Sequence, residues 1–260
     1  MEAAGDAGAA AGDPRCCDAA PAGSEGAPRA LAEPGPPPPR GRFLVLEGID
    51  GCGKSTQLQA LAAWLPQSGL LPPGARLHCS REPGGTPLGQ ALRRLLLHPD
   101  AAEAPCSRAE LLLYAADRAQ HVQRVIRPAL EAGHWLLSDR YSGSTAAYQG
   151  YGRGLDLALI TQLEAIATDG LQPDLTLWLD LPLELSLQRR QQRSPDRIEA
   201  AGAAFLARVS EGFRSLATRP GWRRIEAAGC RDAVTEACRR ALQQEWAAAP
   251  QGVSRGGDDR

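Results

Sequence analysis

The chain has 260 residues, 43% hydrophobic and 23% charged, with 29 Lys plus Arg against 30 Asp plus Glu and a net charge of −1. This composition suits one sizeable globular core, or at most two domains, and excludes a general electrostatic pull toward nucleic acid or a membrane surface. No run of about 18 apolar residues occurs, which excludes a membrane-spanning helix.

Residues 1–40 are Ala, Gly and Pro with few large apolar side chains. Such a segment buries too little surface to offset the entropy of ordering and is expected to be a disordered extension. It carries neither the apolar core of a secretory signal nor the Ser-rich, acid-poor composition of a transit peptide. The globular region is expected over 41–246, and the tail 247–260 is expected to be loose.

The first expected strand, Phe43 to Glu47, runs into "GIDGCGKS", which fits GxxxxGK[ST] between a strand-like and a helix-like run. That context is the one a phosphate-binding loop requires. Glycines let backbone N–H groups point inward, and the helix starting near Lys54 adds the positive end of its dipole. Gly48, Ile49, Asp50, Gly51, Cys52, Gly53, Lys54, Ser55 and Thr56 are therefore assigned to a nucleotide phosphate site. Lys54 is expected on the β and γ phosphates and Ser55 on Mg²⁺. Among the 29 basic residues Lys54 is the one lysine, at the position that needs a compact ammonium rather than a planar guanidinium.

Further strands are expected at Arg76–Cys79, Trp135–Ser138, Leu175–Leu179 and Arg223–Ile225. Helical periodicity covers Pro87–Leu97, Arg108–Leu130, Leu157–Thr168, Leu183–Arg190, Ala203–Thr218 and Asp232–Trp246. This alternation implies an α/β fold, a parallel sheet with helices on both faces, and ligands at the carboxyl ends of the strands. The third strand runs into Asp139, a Walker-B-like carboxylate expected near Mg²⁺. Arg189, Arg190, Arg193 and Arg197 crowd a short stretch broken by Pro195, the composition of an arginine-rich lid at about 189–200. A GTP switch of the common type reads guanine through an asparagine, and the chain contains none.

Seven cysteines form no CxxC pair and four histidines are dispersed, so neither a disulfide framework nor a zinc site is indicated. A reducing cytoplasm is the expected location.

The ordered set "GIDGCGKS", "REPGGT", "YAADRAQ", "DRYSGSTAAYQG" and "DRIE" resembles thymidylate kinases of the bacterial type over about Arg42 to Glu245. The resemblance implies the P-loop nucleoside monophosphate kinase fold, with five parallel strands and a short mobile lid. It also implies transfer of the γ-phosphoryl of ATP to dTMP with Mg²⁺, in dTTP synthesis. The alternatives are a kinase for another nucleoside monophosphate or a deoxynucleoside, or a non-catalytic P-loop module. By resemblance Asp50 accepts from the deoxyribose 3′-hydroxyl, Tyr114 stacks on thymine, and Arg93, Arg118, Thr145 and Gln149 read its polar edge. Tyr148 crowds a ribose 2′-position, and Ser144 completes the dTMP site. Lys54, Arg81, Arg140 and a lid arginine surround the reacting phosphates. Eukaryotic-type members carry an arginine where this chain has Gly51, so Arg189 and Arg193 are expected to supply the missing charge. Arg190 serves as a control if it faces solvent. No nucleic acid or membrane partner is expected, and homodimerisation through helix faces is.

Overall fold

The computed structural model describes residues 40–98, 104–190, 197–198 and 201–246. The expectations for residues 1–39, for the tail 247–260 and for most of the lid, Arg193 included, lie outside the described residues.

Five strands, β1 (Phe43–Glu47), β2 (Leu77–Arg81), β3 (Trp135–Asp139), β4 (Leu175–Asp180) and β5 (Trp222–Glu226), form one sheet in the order β2-β3-β1-β4-β5. Every pairing is parallel. The three inner strands read as nearly continuous apolar runs because both of their faces are covered; the edge strands LHCSR and WRRIE are mixed because theirs are not. Alternation along β1 divides the core. Leu44 and Leu46 join the larger cluster with Leu61, Leu177 and Phe213, whereas Phe43 and Val45 pack with Val122, Ile126, Leu130 and Tyr141 on the other face.

The helices are α1 (Lys54–Trp64), α2 (Pro87–Leu97), α3 (Ser107–His121), α4 (Arg127–Glu131), α5 (Ser142–Thr145), α6 (Leu157–Thr168), α7 (Leu183–Arg190), α8 (Ala203–Leu216) and α9 (Arg231–Trp246). Their starts follow ordinary capping chemistry. Thr86 accepts from Gly89 N at 2.9 Å ahead of Pro87, and Asp156 accepts from Ala158 N at 2.8 Å.

Two elements differ from expectation. The single helix expected over Arg108–Leu130 is interrupted by a wide π turn at Val122–Ile126. Pro128 sits just beyond it: proline has no N–H to donate, and its ring displaces the carbonyl four residues back, which the wider turn accommodates. The segment after β3, outside the helices expected from the sequence, is helical, with α5 leading into a second π turn at Ala146–Gly152. Its glycines and serines mask that tendency in the sequence.

Register brings the strand ends to one edge. Arg81 pairs with Asp139, Leu46 with Asp139, and Asp180 with Glu226. All five strands thus finish on a charged residue at the same side of the sheet, and β1 lies where the chain's path reverses direction across it.

Candidate active site

The loop between β1 and α1 turns on left-handed glycines, two of which the structure makes indispensable. Gly48 has φ 141°, and a Cβ there would lie 2.7 Å from the Leu179 carbonyl oxygen of the neighbouring strand end. Gly51 has φ 79°, and a Cβ there would meet the Ser186 carbonyl oxygen at 3.2 Å and Arg190 Cγ at 3.3 Å. The loop is therefore pressed against α7, and Ser186 Oγ donates to Asp50 O at 2.7 Å. An arginine at position 51 would be strained in this backbone, which explains in physical terms why Gly51 stands there.

Lys54 is buried, with Nζ donating to the Gly48 and Ile49 carbonyls at 3.0 Å each. Ser55 Oγ donates to Asp139 Oδ2 at 3.0 Å, bringing the helix start and the end of β3 together. Among the described residues no group of three or more His, Cys, Asp or Glu side chains forms a metal cluster. One carboxylate and one hydroxyl beside a phosphate loop suit Mg²⁺, which keeps several waters and binds through substrate phosphates.

Arg140 is the junction of the site. It holds φ 77°, a region that few non-glycine residues occupy, and such strain is typical of functional positions. Its Nη1 donates to Gly48 O at 3.1 Å and Ser144 Oγ at 2.9 Å, its Nη2 to Asp50 and to the Tyr148 hydroxyl, and its guanidinium lies 5.0 Å from the centre of the Tyr148 ring. Tyr148 in turn donates to Asp50 Oδ2 at 2.7 Å. Burial opposes ionisation of Asp50, but Arg140, Lys54 and the Tyr148 hydroxyl together hold its carboxyl well below the usual range. Asp50 therefore stays an acceptor at any working pH.

Sequence reasoning missed Glu47. This buried carboxylate at the end of β1 accepts from Tyr141 N at 2.9 Å, Ser144 N at 3.0 Å and Ser144 Oγ at 2.6 Å. It fixes the start of α5, and an acidic residue closing an apolar strand was the available signal, as it was for Asp139.

Two cavities meet at this junction. One is lined by Lys54, Ser55, Thr56, Gly53, Arg81, Asp139 and Arg189. The other is lined by Tyr114, Arg118, Ser144, Thr145, Tyr148, Gln149 and Ile198. Asp50, Glu82, Arg93 and Arg140 line both. Of the residues assigned from sequence to the dTMP site, Asp50, Arg93, Tyr114, Arg118, Arg140, Ser144, Thr145, Tyr148 and Gln149 share one pocket adjoining the phosphate loop, whereas Arg81, assigned with them, lines the phosphate-loop cavity instead.

Arg118 is more than a pocket wall. It is fully buried, its Nε donating to Glu82 at 2.8 Å and its Nη1 to Thr145 Oγ1 at 2.8 Å and to Glu164. Glu82 also bonds His121 Nδ1 at 2.8 Å, and His121 Nε2 meets Ser80 Oγ at 2.7 Å. Arg93 donates to the Pro83 carbonyl at 2.9 Å, and burial together with neighbouring Arg81 lowers its pKa.

Of the arginines grouped as a lid, Arg189 reaches the phosphate loop, donating to Gly51 O at 3.3 Å and to Ala227 O at 3.3 Å. Arg190 does not face solvent and is no neutral control: it is buried against Gly51. Arg197 turns away from the phosphate loop and ion-pairs with Glu110 on α3.

The sequence profile of the family described as thymidylate kinase matches residues 46–237. The chain belongs to the thymidylate kinase family. A thymidylate kinase of Synechococcus sp. strain RCC307 is 72% identical over 188 residues, covering 72% of this chain and 89% of the relative. One from Prochlorococcus marinus strain MIT 9313 is 64% identical over 206 residues, covering 79% and 95%. The crystal structure of a thymidylate kinase from Ehrlichia chaffeensis superposes with a TM-score of 0.64 at 31% identity, covering 79% of this chain and all of that one. The five-stranded P-loop kinase architecture expected from the sequence is the one observed.

Proposed function

We infer that the chain transfers the γ-phosphoryl group of ATP to dTMP, giving ADP and dTDP. The observation that carries this reading is the shared wall of Asp50, Glu82, Arg93 and Arg140 between a phosphate-loop cavity and a second, aromatic- and arginine-lined pocket. A site that only hydrolysed ATP has no use for the second pocket.

The reaction breaks the bond between the γ-phosphorus and the β,γ-bridging oxygen and forms one to a phosphate oxygen of dTMP. That phosphate, with a second pKa near ~6, is mostly a dianion at neutral pH, so no base is required. The protein must align two polyanions and neutralise charge on the moving phosphoryl. Lys54 and the loop amides serve the β and γ phosphates, Arg81 and Arg140 stand between donor and acceptor, and Arg189 approaches from α7. Arg193 belongs to the same proposal on sequence grounds. Ser55 and Asp139 would hold Mg²⁺, which when bound neutralises phosphate charge. On the acceptor side Tyr114 stacks on the base, Arg93, Arg118, Thr145 and Gln149 address its edge, Ser144 supports Arg140, and Asp50 and Tyr148 flank the deoxyribose.

We place the reaction in the cytoplasm, with its two nucleotide substrates, and carried out by a homodimer joined through α2, α3 and α6. These helices leave Leu88, Leu95, Leu112, Leu157, Leu159 and Ile166 exposed. No described helix is long and apolar enough to cross a membrane.

Coupled ADP detection over a panel of nucleoside monophosphates and deoxynucleosides tests the reading. Turnover with dTMP far above that with dCMP or dGMP is expected. ADP released from ATP alone, whatever acceptor is present, would overturn it.

A further inference from the structure

Glu110, on α3, has no part in the chemistry just described, yet it is wholly buried and accepts from three side chains. Gln149 Nε2 donates to its Oε1 at 2.7 Å, Arg153 contributes bonds at 3.3 and 3.2 Å, and Arg197 pairs with its Oε2. A carboxylate in two ion pairs is an acceptor only, so the Gln149 group turned toward it must be the NH₂. With the NH₂ end committed to Glu110, the opposite end of the amide, which Gln149 can offer to the acceptor pocket that it lines, is the carbonyl oxygen.

We propose that Glu110 is a positioning residue that fixes the Gln149 amide with its oxygen toward the base, making the pocket selective for pyrimidines that carry N–H at ring position 3. The inference rests on the dTMP reading above. A keto pyrimidine donates from N3 to that oxygen. Cytosine has an unprotonated N3 acceptor, which would face a second acceptor and leave both unpaired inside a buried site. A free glutamine would discriminate poorly, because rotating its amide by half a turn exchanges donor and acceptor; the carboxylate removes that option. Glu110 also holds the pocket's rim. Arg197 donates from its backbone to Leu97 O at 3.2 Å and from Nε to Leu96 O at 2.9 Å, and the adjacent Ile198 lines the pocket.

The experiment measures kcat and KM for dTMP and dCMP in the native chain, in Glu110→Gln, in Gln149→Leu and in the double variant. Glutamine at 110 both donates and accepts, so the Gln149 amide is released. We expect the dTMP-to-dCMP ratio of kcat/KM to fall by about tenfold or more, mainly through a higher KM for dTMP. Gln149→Leu should cause a similar fall, and the double variant no further one, since both remove the same contact. An equal loss for both substrates with the ratio intact would make Glu110 merely structural and overturn the proposal. A native chain with no preference for dTMP would instead refute the functional reading itself. Should Glu110→Gln not fold, the native protein decides by NMR. The side-chain amide pair missing from Gln149→Leu should be protected from solvent exchange before dTMP is added and remain so afterwards; rapid exchange in the free chain would overturn the assignment.

Discussion

Arg140 carries a guanidinium that ties three elements together and a backbone that an L-residue seldom adopts, with φ 77°. The two features separate by mutation. Arg140→Gly relaxes the backbone and Arg140→Ala does not, a difference of about 1 kcal/mol in favour of glycine. Both variants lose the charge at the junction of the cavities, so kcat/KM should drop by about 10²–10³-fold in each, guided by removal of a transition-state hydrogen-bond donor. Denaturant unfolding beside steady-state kinetics checks this, and a glycine variant that kept its activity would reduce Arg140 to a loop former. The sequence marked Arg140 because the motif "DRYSGSTAAYQG" that contains it resembles that of thymidylate kinases. It did not mark Glu47, Glu82, Glu110 or Glu164 as buried, because a carboxylate is buried only where a distant partner compensates it. Glu82 waits for Arg118 and Glu110 for Arg197, pairings that exist only after the sheet has formed.

At the scale of elements, strands and most helices were legible because apolar period and capping residues agree, as in "TPLG" ahead of α2. The two π turns were not: apolar periodicity does not report the adjustment that Pro128 imposes on the turn before it, and the glycines and serines around the second mask its helical tendency. The second of them carries Tyr148 and Gln149 into the pocket. Another element-level device is Asp117 on α3, which tethers the loop before α2 by accepting from Gly84 N at 3.1 Å. Its Oδ2 is buried with no hydrogen-bond partner among the described residues, and burial, reinforced by Glu82, pushes its carboxyl up to about 6 from 3.8. The folded chain therefore binds this proton more tightly than the unfolded chain. The penalty is absent at low pH, grows as pH rises between those two values, and is complete above about 6. Relative to Asp117→Asn, which cannot ionise, the native chain should gain on the order of 1 kcal/mol on going from pH 7.5 to pH 5. Urea unfolding of both proteins at the two pH values measures the difference; parallel changes would mean that Asp117 is not titrating in this range.

On the scale of the whole molecule, the strand alternation foretold a parallel sheet, but not which strands are neighbours. The path that places β1 between β3 and β4 is what brings Asp50, Arg140 and Tyr148 together across about ninety residues of chain. The outer surface shows a different kind of pattern. Helices α2, α3 and α6 lie side by side, and they expose Leu88, Leu95, Leu112, Leu157, Leu159 and Ile166, the last at 79%. Scattered exposed leucines are ordinary, but several on adjoining helices form a patch of the sort that self-association covers. Sedimentation velocity should give the native chain the mass of a dimer at micromolar concentration. Ile166→Glu with Leu112→Glu places two carboxylates in that patch without touching the core, so the variant should sediment as a monomer with its circular dichroism unchanged. Its melting temperature should also stop depending on protein concentration, as linkage between folding and association requires. A native chain that sediments as a monomer, with a concentration-independent melt, would leave this helix face as bare surface and refute the dimer.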